Sequence, residues 1–439
     1  MTSKPKTLAT KVPKLRFPEF RGAGEWTTET LGSVAKLSTE KVGDNTCIPM
    51  SITSGVGLVS QMEKFGRIIA GSSYVNYLLL KKNDFAYNKS ATKEYPEGFI
   101  ALYSGDELAA VPNSIFTCFR IKGESPVPQY LNYLFLGNLH GQWLRKFIEI
   151  GARAHGSLSI NDGDLLALPV PLPSGKTSVP EQQKIAECLS SVDELMAAQA
   201  RKVDSLKTHK KGLMQQLFPR EGEAAPRLRF PEFRDAGEWG MTTIGDLKPF
   251  VTSGSRGWAP FYAEQGELFV RITNLWRYSI YLDLTDCKYV QLPPGANEGV
   301  RTQLKEHDVL ISITADIGII GYVDDNVPSP AYINQHIALV RFDEGQLCSK
   351  FVAYFLASEK SQRLFRASTD TGTKAGMSLI GIQKIQLMLP GKDEQHRIAS
   401  CLSSLDALVA AETRKLEALK THKKGLMQQL FLSLDEVEA

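Results

Sequence analysis

At 439 residues the chain exceeds what one core usually spans, and its 43% hydrophobic content is enough for ordinary soluble interiors, so two or more globular domains are implied and a disordered chain is excluded. A formal net charge of +3 rules out attraction of nucleic acid by bulk charge; residues 13–175 carry 16 Lys/Arg against 15 Asp/Glu and residues 226–392 carry 18 against 18, so any anion site must be local. No apolar run approaches the roughly 20 residues of a membrane span, and the opening MTSKPKTLATKV lacks a signal-peptide core, which makes the cytoplasm the expected location.

In chain order, residues 1–12 read as a flexible tail, followed by LRFPEFR at 15–21 and AGEW at 23–26. Short β-type runs such as GFIALY and SIFTCFRI come next, and then a segment with helical apolar spacing at 128–148. A glycine-containing basic loop, GARAHGSLS, leads into the strand-like, proline-terminated LLALPVPLP, closing a first α+β domain over 13–175. Residues 176–220 predict a long helix, and 221–225 a linker. LRFPEFR and AGEW then return 213 residues later, at 228–234 and 236–239. They open a second α+β domain over 226–392, with strand runs DVLISIT and HIALVRF, a helical segment at 349–368 and the basic loop TGTKAGMSL. A second helix over 393–432 and a tail over 433–439 complete the chain.

The repeat dictates the architecture. Residues 181–219 and 394–432 share 27 identities in 39 positions, and LKTHKKGLMQQLF is repeated unchanged at 206–218 and 419–431. Between these borders the two halves show no clear counterpart, as expected of a fixed frame carrying two variable readers. Ile185, Leu189, Val192, Met196, Val203, Leu206, Leu213 and Leu217 step by fours and threes, as do Ile398, Leu402, Leu405, Val409, Leu416, Leu419, Leu426 and Leu430. Each is a coiled-coil helix of about 33 residues, roughly 50 Å long, with Asp393 as N-cap of the second and Pro180 at the start of the first. The seam is polar at Gln199, Lys210, Glu412 and Lys423. An antiparallel pairing of Lys210 with Glu412 and of Gln199 with Lys423 gives each lysine an acceptor; the alternative is that both lysines snorkel to solvent.

Six scattered cysteines form no C-x-x-C pair, so they are expected as reduced thiols, mostly in cores, and no metal site is expected. PSGKT at 173–177 resembles the end of a phosphate loop, but Val170 stands where that loop needs glycine. Zinc-helix, nucleophile-elbow, dinucleotide and N-P-P-[FY] motifs are missing, so no catalytic residue is expected. Recognition remains. Arg and Lys fit guanine edges and phosphates, and Asn fits adenine. On the loops that interleave such groups with aromatics, the candidate DNA-binding residues are Lys89, Lys93, Arg153, His155, Ser255, Arg256, Asn274, Arg277 and Lys374. The competing reading makes these solvated surface charges and places Trp258 and Trp276 in cores.

The doubled LRFPEFR…GEW and the doubled EQ…IA..LSS.D.L……K…LK..KKGLMQQLF resemble the specificity subunits of type I restriction-modification enzymes over nearly the whole chain. The resemblance implies two target-recognition domains related by a pseudo-twofold axis and separated by two long antiparallel coiled-coil helices, an α+β architecture. It further implies that each domain reads half of a bipartite, asymmetric site in double-stranded DNA through the major groove, while the helices set the spacing. Two methyltransferase subunits carrying S-adenosylmethionine, and two motor-nuclease subunits using ATP and Mg2+, are the implied partners; this chain holds no cofactor of its own. The doubled phrase would then present one docking surface twice, through Lys207, His209, Lys211, Gln215 and Gln216 and through Lys420, His422, Lys424, Gln428 and Gln429. Recent duplication alone would also leave identical text. A coiled-coil adaptor that has lost DNA reading is the alternative for the whole chain.

Overall fold

The structure is a computed structural model that describes residues 11–53, 55–148, 158–295, 298–369 and 376–438. The chain divides into two compact units: unit 1 comprises Met1–Gln199 with Lys415–Ala439, and unit 2 comprises Ala200–Arg414. Each is α+β.

Unit 1 holds strands β1 (Thr27–Thr30), β2 (Ala35–Ser38), β3 (Ile48–Thr53), β4 (Gly57–Ser60), β5 (Leu78–Leu80), β6 (Asp84–Asn88), β7 (Phe99–Leu102), β8 (Ala109–Val111), β9 (Phe116–Ile121) and β10 (Pro169–Leu172). They form sheets in the orders β2-β9-β6-β7 and β4-β3-β8-β5, with β1 paired to β10. Every pairing is antiparallel except β3 with β8. Unit 2 holds β11 (Gly240–Thr243), β12 (Phe250–Ser253), β13 (Tyr262–Ala263), β14 (Glu267–Val270), β15 (Lys288–Val290), β16 (Val309–Ser312), β17 (Ile320–Tyr322), β18 (Ala331–Ile333), β19 (Ile337–Arg341) and β20 (Gln386–Leu389). Its sheets run β12-β19-β16-β17 and β13-β15-β14-β18, with β11 on β20 and a parallel β14–β18 pair.

The two interiors that look unrelated in sequence therefore share the order of one four-stranded sheet and a parallel pair in the other, whose outer strands differ. The central strands β6 and β16 are buried along their whole length. Each begins at the same polar lock. Asn83 and His307 take positive φ (71° and 72°), and the Lys81 and Lys305 amides donate to Asp84 and Asp308 at 2.8 and 2.7 Å. Arg120 and Arg341, on the neighbouring strand, then donate two hydrogen bonds each to the same buried carboxylates at 2.5 to 2.7 Å. A buried carboxylate needs such partners to stay charged.

The duplicated border text builds a second set of matched contacts. Arg16 makes a two-pronged pair with Glu181 at 2.8 Å, and Arg229 does the same with Glu394 at 2.8 and 2.7 Å. Gln182 accepts from the Val127 amide, and Gln395 from the Cys348 amide. The Leu15 amide donates to the Gln429 carbonyl at 2.9 Å, and the Leu228 amide to the Gln216 carbonyl at 3.0 Å. Each copy of LKTHKKGLMQQLF thus ends inside a core. In unit 1 Leu430 and Phe431 join Trp26, Tyr130, Ile185 and Leu189; in unit 2 Leu217 and Phe218 join Trp239, Phe351, Ile398 and Leu402.

The long helices span Ser178–Leu217 and Lys392–Leu430, 40 and 39 residues, longer than the expected 33 because the first turns begin before the apolar seam does. Asp393 and Pro180 lie within those first turns rather than capping or opening them. Within each unit one stretch of each helix runs antiparallel to the other, and Ile185, Leu189, Val203, Leu217, Ile398, Leu402 and Leu430 are buried as the seam predicts. The expected pairing of seam lysines is corrected. Lys210 donates to Asp406 at 2.5 Å, not to Glu412, which pairs with Lys202 at 3.0 Å. Lys423 donates to Asp193 at 2.6 and 2.9 Å rather than meeting Gln199. Lysine stems are long enough to reach a carboxylate flanking the seam. The phenols of Tyr133 and Tyr354 donate to the same two carboxylates, at 2.9 and 2.7 Å, and each ring sits beneath its lysine ammonium at 5.3 and 5.5 Å.

Candidate nucleic-acid interface

In unit 2 the chain turns from β18 into β19 through Asn334, Gln335, His336 and Ile337. The Ile337 amide donates to the Asn334 carbonyl at 3.2 Å, and the Asn334 side chain accepts from the His336 amide at 3.1 Å, an Asx-stabilised turn. Beside it runs the end of β12. Gly254 passes so close that a Cβ there would lie 2.1 Å from the Asn334 carbonyl carbon and oxygen, so glycine is required for the approach. From the third side comes Thr314, just past β16. Ser253, Gly254, Arg256, Thr314, Gln335 and His336 line an open cleft of about 350 Å³. Arg301 fixes its rim, donating to Thr252 Oγ1, to the Ser253 carbonyl at 2.8 Å and to Ser255 Oγ at 2.9 Å. Arg256 is exposed and has no ion pair among the described residues.

Unit 1 has the corresponding turn between β8 and β9, where Asn113 and Ser114 are exposed and the Phe116 amide donates to the Pro112 carbonyl at 3.2 Å. The Lys89 amide donates to the Ile115 carbonyl at 2.9 Å, as the Ile313 amide does to the His336 carbonyl in unit 2. Lys89 therefore lies beside this turn, its ammonium 3.9 Å from Asp162, and Lys93 is exposed on the following loop.

Of the nine expected DNA-binding residues, Lys89 and Lys93 share one loop in unit 1, and Ser255 and Arg256 flank the cleft in unit 2. Arg153, His155 and Lys374 lie outside the described residues. Asn274 is a correction: it is 2% exposed, its amide donates to the carbonyls of Asp283 and Asp286 at 2.8 and 3.1 Å, and its oxygen accepts from the Arg271 amide. It is spent on loop structure and offers no edge to a base. Arg277 is likewise engaged, with Asp316, the Gln362 side chain at 2.8 Å and the Ile317 carbonyl at 3.1 Å. Trp258 is core, as its competing reading had it, whereas Trp276 is 53% exposed. The sequence reading singles out neither Gln335, His336 and Thr314, which line the cleft, nor Arg301, which fixes its rim. The signal for the first two is the polar triple Asn-Gln-His between the apolar runs AYI and IALV, which marks a turn.

The ten residues expected to dock partners are all exposed. Gln215 donates to Glu359 at 2.6 Å and Lys420 pairs with Glu417 at 2.8 Å. No helix among the described residues is long and apolar enough to cross a membrane, and no group of three or more potential metal ligands occurs among them. The cysteines are free, with Cys47, Cys118 and Cys348 buried and the other three partly so.

Residues 295–421 match the family model of the Type I restriction modification DNA specificity domain. Over 345 residues the chain is 25% identical to a protein assigned to type I restriction enzyme MjaX of Methanocaldococcus jannaschii as its specificity subunit, covering 76% of this chain and 74% of that one. Over 273 residues it is 23% identical to the type I restriction enzyme MjaVIII specificity subunit of the same organism, covering 60% and 61%. The crystal structure of the type I restriction-modification system S subunit from M. genitalium matches 96% of this chain and 100% of its own, at 14% identity and a TM-score of 0.56. A chain from a study of assembly and conformational transition in the type I R-M system matches 92% and 97%, at 18% identity and a TM-score of 0.56. At these identities the structural likeness is one of fold. With a domain match in its second half and sequence likeness over three quarters of its length, the chain is similar to the specificity subunits of type I restriction-modification enzymes.

Proposed function

We propose that the chain is the non-catalytic DNA-targeting subunit of a type I restriction-modification complex. Each unit reads one half of a bipartite, asymmetric site, and the long helices set the spacing of the halves and dock the methyltransferase subunits. The observation that carries this reading is one skeleton bearing two unlike sets of loop residues. The same order in one four-stranded sheet, a parallel pair in the other and the same Asp–Arg locks present Lys89, Asn113 and Ser114 in one unit, and Arg256, Gln335 and His336 in the other. Reading different bases from one frame requires that combination, since phosphate contacts position a protein while side chains on base edges specify. Methyl transfer with S-adenosylmethionine, and ATP- and Mg2+-dependent restriction, belong on this reading to two copies each of partner subunits.

The test is single-molecule sequencing for methyladenine in cells expressing this chain with its methyltransferase subunit, against cells lacking the chain. A methylated motif of two short, dissimilar halves with a fixed gap, lost without the chain, is the expected result. No difference, with the methyltransferase expressed, would favour the adaptor.

A further inference from the structure

The cleft of unit 2 contains a chain of hydrogen bonds that the proposed function does not by itself require. Gln335 Nε2 lies 3.0 Å from His336 Nε2, and His336 Nδ1 lies 2.5 Å from Thr314 Oγ1. An amide nitrogen only donates, so His336 Nε2 is the acceptor, the imidazole carries its proton on Nδ1, and that proton is given to Thr314. The contact holds the Gln335 amide by its nitrogen. One amide hydrogen is held by the imidazole, while the second hydrogen and the carbonyl oxygen remain for a ligand in the open cleft. Gln335 and His336 are half-buried, and their backbone is held by the Asn334 side chain and by the close passage of Gly254.

A donor and an acceptor side by side in one plane complement the major-groove edge of adenine, whose N7 accepts and whose N6 amino group donates. The geometry points to Gln335 as the residue that reads an adenine in the half-site of unit 2, with His336 and Thr314 as positioning residues that set its amide. Arg256, on the opposite wall of the cleft, supplies the positive charge for the adjoining phosphate or guanine. This rests on the proposed function and adds to it the base and the residues that read it. Orientation is what makes the reading selective: a freely flipping amide would accept from one base as readily as it donates to another, whereas an anchored one presents a single donor-acceptor order.

The experiment uses the full chain co-expressed with its methyltransferase subunit, with the methylated motif determined for the wild type and for Gln335→Ala, Gln335→Glu and His336→Ala. The wild type gives a two-part motif. Gln335→Ala is expected to relax one A·T position in one half only, and His336→Ala to relax the same position while methylation elsewhere in the motif is kept. Gln335→Glu is expected to shift that position toward cytosine, whose amino group a carboxylate accepts from. An unchanged motif in Gln335→Ala, relaxation at a G·C position, or changes in both halves would overturn the assignment. So would an equal loss of binding on all duplexes.

A binding scan on the wild-type complex keeps the question open to refutation even where a variant fails to assemble. Replacing single adenines by 7-deazaadenine should cost about 5- to 150-fold in affinity at one position. A half-site pair with no such position sinks the proposal. A wild type that directs no methylation at all overturns the targeting reading first, and the cleft assignment with it.

Discussion

At the scale of single residues, the duplicated letters mark buried polar chemistry as well as surface. Arg16 and Glu181 are 5% and 0% exposed at their side chains, and Arg229 and Glu394 are 10% and 2%. Removing one partner of such a pair strands a charge in the interior. Glu181→Ala and Glu394→Ala should each lower stability by about 3–5 kcal/mol, measured by denaturant unfolding, whereas an alanine at the exposed Glu19–Lys184 pair should cost less than about 1 kcal/mol. The repeat showed in sequence that these positions mattered but not why, because Arg16 and Glu181 are 165 residues apart and no periodicity connects them. Asn274 failed for a related reason. Its residue type suits adenine, but the same amide serves equally well to tie a loop to itself, and only burial separates the two uses.

At the scale of elements, the long helices were legible because a seam of apolar residues at steps of three and four has one stable interpretation. Their register was not. Seam periodicity matches seam residues only with seam residues, whereas the acceptors, Asp193 and Asp406, each sit one place beyond a seam position, at Val192 and Leu405. A double-mutant cycle between Lys210 and Asp406 should yield a coupling of about 0.5–3 kcal/mol, and one between Lys210 and Glu412 should fall near zero if the observed partners hold. The strands of both units were partly visible as apolar runs. Their common order was hidden, because it rests on a few spaced residues such as Asp84 and Arg120, or Asp308 and Arg341, embedded in different text.

At the scale of the whole molecule, the apolar and polar letters of LKTHKKGLMQQLF separate by face. Leu213, Leu217 and Phe218, with Leu426, Leu430 and Phe431, pack into cores, which alone would preserve the apolar letters. The exposed cations and amides need another reason, and the proposed docking of identical subunits would supply one. Reversing charge at Lys207 and Lys211 should remove one methyltransferase subunit from the purified complex, and reversing Lys420 and Lys424 as well should remove both, read as mass by native spectrometry. Loss of neither would return the identity of the two copies to recent duplication. The division of the chain has a further consequence, in time rather than in space. Unit 2 is one continuous stretch, 200–414, and is complete when its last residue is made, but unit 1 also needs residues 415–439. At about 5–20 residues per second, the interval between Gln199 and the arrival of those residues is roughly ten to forty seconds or more. Throughout that interval the side of Tyr130, Ile185 and Leu189 that Leu430 and Phe431 will cover is bare. The earlier half of the nascent chain is therefore the later to finish folding, with an apolar face uncovered until the last residues arrive.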